Sequence, residues 1–125
     1  SAARKITGVN KTCWEVIFEI VQSRGLSKSH FCSLTGLGEE VYRKAEKNIG
    51  TKPSLRTIVD IGRGLDLDIG TTEKLLQLAG HAFDESDEHQ ALKYCITGFS
   101  GMTIDDANEF LESYNYEPLG SKQRL

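Results

Sequence analysis

Arg43, Lys44, Lys47, Lys52 and Arg56 crowd into one stretch of the chain, with Glu46 the sole acid among them. Cations at this density could neutralise phosphates along a nucleic-acid backbone, and an arginine among them could read a guanine edge. The same strip could also be an ordinary solvated face. Glu39 and Glu40 stand just ahead of it. Carboxylates there would be repelled by phosphates, although a glutamate can accept a hydrogen bond from cytosine N4. The other reactive side chains form no comparable group. His30 and Cys32 lie two apart, which on a helix points them to different faces. No His or Cys pair has zinc-finger spacing, so neither a metal nor a cofactor is expected. No nucleophile, base and orienting group stand in a recognisable arrangement, and an enzyme is not expected. Gly62-Arg63-Gly64 lacks the Lys-Ser/Thr and the preceding strand of a phosphate loop. Cys32 reads as a small core residue, Trp14 and Tyr42 as core aromatics, and His30, His81 and His89 as solvent-facing or capping.

These residues must be positioned by helices. Apolar side chains recur at steps of three and four, and alternation at a period of two is scarce. Asn10 or Thr12 could cap a first helix running to about Arg24, with Trp14, Ile17, Phe18 and Val21 inward and Gly25 ending it. Ser27 could cap a second through about Leu34, with Phe31 and Leu34 inward. Thr35 to Gly38 is a tight connection, and a third helix runs from about Glu39 to Lys47 on an inner face of Val41, Tyr42 and Ala45. Its two leading acids suit the positive end of the helix dipole. Gly50 and Pro53 break the next loop, Ser54 caps a fourth helix through about Gly64, and a fifth spans about Thr71 to Ala79. Two more are expected near Asp87–Thr97 and Asp105–Tyr114. The segments starting at Ile69 and Ile104 align weakly at an offset of 35, which a duplication or simple amphipathic patterning would both produce.

The run from Arg24-Gly25-Leu26-Ser27 through Gly36 to Glu46, then Pro53-Ser54 and Leu65-Asp66-Leu67-Asp68-Ile69, resembles the phage-repressor/Cro family, also called the xenobiotic-response-element family. The likeness covers about residues 12 to 80 and rests on the order and spacing of these parts. It implies a helix-turn-helix in which Cys32 is small where two helices approach and Gly36 supplies the turn. It also implies which residues meet DNA. Lys28 and Ser29 would lie on the phosphate backbone. Glu39, Glu40, Arg43 and Lys44 would form the groove-facing side of the recognition helix, and Lys47, Asn48 and Lys52 would hold phosphates after it. Members usually carry Gln, Ser, Arg or Thr where this chain has Glu39 and Glu40.

The expected architecture is therefore all-α: a flexible arm over 1–11, a five-helix repressor-like DNA-binding domain over 12–83, and an acidic helical extension over 84–125. The apolar fraction of 38% and charged fraction of 26% fit a globular domain rather than a disordered chain. No apolar run is long enough for a membrane span and no basic-then-apolar leader opens the chain. Three well-separated cysteines suit reduced thiols, so a cytoplasmic protein is expected. The net charge of −3 comes from the extension, which leaves the basic strip in the middle intact. The leading expectation is a sequence-specific transcriptional regulator, a repressor, that binds double-stranded DNA. The alternative is a protein-interaction module on the same fold with little DNA binding. Phe99, Met102, Ile104, Phe110, Leu111, Tyr114 and Tyr116 either form a homodimer or partner interface or pack onto the first five helices.

Overall fold

The computed structural model describes residues 11–120, so most of the expected N-terminal arm and residues 121–125 lie outside the described part. Among the described residues there are seven helices and no strand: α1 (Cys13–Ser23), α2 (Lys28–Thr35), α3 (Glu39–Lys47), α4 (Leu55–Gly64), α5 (Ile69–Leu78), α6 (Asp87–Thr97) and α7 (Ile104–Ser113). Six of them start at a side-chain oxygen that accepts a backbone N–H three residues on, from Thr12, Ser27, Ser54, Asp68, Ser86 and Thr103. Thr12 with Glu15 and Thr103 with Asp106 complete reciprocal capping boxes. The fifth helix starts earlier than expected, because Asp68 caps it through Thr71 N and draws Ile69 into its first turn.

Two apolar cores meet at α4. The first gathers α1, α2, α3 and α5 around Trp14, Ile17, Phe31, Val41, Ile58, Ile61, Leu75 and Leu76. Phe18, Tyr42 and Leu55 pack against it half-buried. The second contains Val59, Leu92, Cys95, Met102, Ala107, Leu111 and Leu119. Thus α4 turns Ile58 and Ile61 one way and Val59 the other. Met102 and Leu111 are buried inside the chain, and Ile104, Phe110 and Tyr116 are half-buried against the second core. These five thus pack against one another and against Val59 of α4. Phe99 and Tyr114 remain exposed.

Helices α5 and α7 share the 35-residue offset to their last turns, where His81 N donates to Leu76 O and Tyr116 N to Leu111 O. The same ending closes α1 and α4, through Leu26 N to Val21 O and Leu67 N to Gly62 O. It reflects the general satisfaction of orphan carbonyls by a left-handed residue, which is a local requirement and no mark of duplication.

The last turn of α4 lies hard against the end of α2. A Cβ on Gly64 would stand 2.6 Å from Leu34 O and 2.8 Å from Thr35 Cα, both backbone atoms that cannot swing away. Gly64→Ala is therefore expected to destabilise by about 1–3 kcal/mol through overpacking. That exceeds the gain of at most about 1 kcal/mol from better helix propensity. Urea denaturation checks it, and a variant as stable as the parent would show that this approach is soft.

Candidate functional site

Helices α2 and α3 are held by their inner faces. Phe31 is fully buried, and Tyr42 sets its ring edge against Phe18 at 5.6 Å and Phe31 at 5.7 Å. Val41 and Ala45 are buried beside it. Between the helices, Gly36 takes φ 77° and donates its N–H to Cys32 O. A Cβ there would meet Ile104 Cγ1 at 3.2 Å, so the first residue of α7 backs the turn. Thr35 Oγ1 donates to Phe31 O at 2.8 Å and accepts from Leu37 N at 3.2 Å, which fixes the chain on entry to the turn.

The loop after α3 is pinned three times. Thr12 Oγ1 donates to Asn48 Oδ1 at 2.7 Å, and Asn48 itself ends α3 in the left-handed region at φ 53°. Trp14 Nε1 donates to Thr51 O at 2.9 Å. The His81 ring nitrogen Nε2 lies 3.1 Å from Pro53 O. Sequence reasoning placed Trp14 only as core packing. Its indole N–H also anchors the loop that carries Lys52, a role with no signature in spacing.

The expected contact residues sit on α2, on α3 and in the loop after it. Lys28, Ser29, Glu39, Glu40, Arg43, Lys47, Asn48 and Lys52 are exposed. Lys44 is half-buried, because its stem lies along Gly50, where a Cβ would meet Lys44 Cδ at 3.4 Å. Glu46 is also exposed and lines a hollow with Glu15, Phe18 and Glu19 of α1. The two leading acids are locally compensated. Glu39 pairs with Lys28 at 3.6 Å across the two helices. Glu40 curls back over the N-terminus of its own helix, where a Cβ on Gly38 would meet Glu40 Oε1 at 2.5 Å. Solvated pairs of this sort contribute at most about 1 kcal/mol, so both carboxylates are available to other partners. Arg43 and Lys47, one turn apart, have no ion pair among the described residues.

Arg56 leaves the strip altogether. It pairs with Glu88 at 2.8 Å and donates to Glu117 O at 2.9 Å and Pro118 O at 3.3 Å, clamping the extension onto α4. A second clamp is buried. Arg63 Nη2 donates to Thr35 O at 2.9 Å and Leu34 O at 3.2 Å, while Nη1 donates to Met102 O at 3.1 Å. One guanidinium thus joins the end of α2 to the extension. Asp60 lies 3.5 Å from it and accepts from Gly120 N at 2.8 Å. Asp60 Oδ1 and Arg63 Nε make no hydrogen bond. Burial therefore pushes the Asp60 carboxyl up to about 7, against the pull of Arg63 and the Gly120 N–H.

Cys13, Cys32 and Cys95 are buried, and no disulfide joins them. Burial raises the thiols of Cys13 and Cys95 to about 11, which keeps them protonated and poorly nucleophilic. Among the described residues no three His, Cys, Asp or Glu side chains gather as a metal site, and no helix is long and apolar enough to cross a membrane. Comparison of the chain with protein-family models, with curated proteins and with solved structures finds no match.

Proposed function

We propose that α2 and α3 act as a repressor-type helix-turn-helix and that the chain is a sequence-specific DNA-binding regulator of transcription. The observation that carries this reading is the contrast between the two faces of α3. Its inner face is locked by Val41, Tyr42 and Ala45, while Arg43 and Lys47 stand exposed on the opposite side, and Lys28 and Lys52 are exposed on the neighbouring segments. A rigid helix that exposes an arginine and a lysine one turn apart is what major-groove reading requires, and neighbouring lysines supply the salt-sensitive phosphate contacts. So short a reading head covers few base pairs, so the proposal includes two copies on a palindromic site.

A second reading is favoured by Glu39 and Glu40, exposed at the leading turn of α3. Under it the same face engages a basic protein partner and DNA binds poorly. A fluorescence-anisotropy titration of the chain against random duplex DNA at low salt separates the two. DNA reading predicts saturable binding that strengthens when Glu39 and Glu40 are both changed to Gln, because repulsion from phosphates is removed. No binding at low salt, by either the parent or this variant, would leave only the protein-module reading.

A further inference from the structure

On the side of the extension where α6 and α7 meet, four rings form a file. Tyr94 and Phe110 stand 4.7 Å apart, Phe110 and Tyr114 5.4 Å, and Tyr114 and Tyr116 6.4 Å with planes only 22° from parallel. They line a groove of about 360 Å³ with Asp87 at its edge, within the size range of side-chain and small-ligand pockets. Tyr94 is 42% and Tyr114 59% exposed, although the second core beneath is complete without them. Aromatic faces left in water at a concave site indicate an occupant.

The charges around the groove select its chemistry. Asp87 pairs with no base among the described residues, whereas its neighbours Glu88 and Asp84 contact Arg56 and His89. From Asp84 to Gly120 the chain carries nine acids and a single base, Lys93, which pairs with Glu73 at 3.8 Å. A second copy would bring like charge against like charge. A cation is attracted both by the ring faces and by the carboxylate. We propose that this groove is a docking site for a basic segment of a partner protein, which lays a lysine or arginine side chain over the tyrosine rings with its charge toward Asp87. The proposal does not depend on DNA binding by α3.

The test is an NMR titration of the whole chain, following the tyrosine ring signals. One probe is a short lysine–glycine peptide capped at both ends, and the other is the same peptide with norleucine at each lysine. The lysine peptide is expected to shift Tyr94, Tyr114 and Tyr116 saturably, and the norleucine peptide to bind at least about tenfold more weakly. Tyr114→Ala, an exposed position, should weaken binding about fivefold to tenfold, Tyr114→Phe should keep it, and Asp87→Asn should weaken it about threefold. Equal binding of both peptides would reduce the site to a plain apolar groove and overturn the proposal. So would lysine binding untouched by Tyr114→Ala, which marks diffuse attraction to the acidic surface. Ring signals that move with protein concentration alone would assign the groove to a second copy, again against it.

Discussion

At pH 8, where Asp60 is ionised in the parent, Arg63→Met is expected to destabilise the chain by about 3–5 kcal/mol, the cost of leaving a buried carboxylate without its cation. Asp60 is 2% exposed and Arg63 6%, so water cannot replace the lost partner. The substitution also strips donors from Leu34 O, Thr35 O and Met102 O, which lie on two sides of α4. An Asp60→Asn, Arg63→Met double variant removes the stranded charge but not the stranded carbonyls. Its stability should fall between those of the parent and the single variant. Urea denaturation measures all three, and an Arg63→Met chain within about 1 kcal/mol of the parent would contradict the clamp. The pair also sets a pH dependence. The folded chain holds a proton on Asp60 up to about pH 7, whereas an unfolded Asp gives it up near 4. The folded state thus binds more protons in between. This contribution is fully present below about pH 4 and is lost as pH rises toward 7. Asp68 and Asp84, whose carboxyls are held low by hydrogen bonds from the Thr71 and Ser86 backbone and side chains, act in the opposite sense and only at more acid pH. Stability measured from pH 4.5 to 7.5 should fall, and the fall should vanish in Asp60→Asn.

Arg43→Ala carries the largest expected effect on the proposed activity. Its side chain is exposed and lies opposite the buried Val41 and Ala45, so the fold should tolerate the change with little loss. If the guanidinium reads a guanine edge, affinity should drop by about 1–3 kcal/mol, or roughly fivefold to 150-fold, and preference at that base pair should relax. Competition between a selected duplex and its single-base variants measures both quantities. Affinity lost equally for every sequence would make Arg43 a phosphate contact instead.

The local elements were legible because their signals are local. Ser54, Gly64, Gly38 and Asn48 are neighbours of the helix ends they set, and the bounds of α3 and α4 follow from them. Asp68 carried an equally readable cap, but the fifth helix was expected to begin only at Thr71, three residues after it. The hidden feature was the second face of α4. Asp60 and Arg63 are charged types that are almost never fully buried unless paired, so a one-sided amphipathic helix was the natural reading. Only the chain's return through Met102 and Gly120 supplies their partners, and contacts 39 and 60 residues apart leave no trace in periodicity. The same return explains Arg56. It belongs to the basic strip by position, yet α4 aims it at Glu88 and the Glu117 and Pro118 carbonyls. The exposure of Glu39, Glu40, Arg43 and Lys47 was legible because it needs only α3's own period, and what sequence could not place was Lys44, whose stem is drawn aside along Gly50.

The most direct test of the central claim is the salt dependence of DNA affinity for the parent chain and for Arg43→Ala, Lys47→Ala, read as the slope of log K against log salt. If the open face of α3 holds phosphates, the parent slope should be steeply negative. Each contact removed should flatten it by about 0.9. A parent that binds DNA with the same slope as this double variant would place the contacts elsewhere on the molecule and contradict the account.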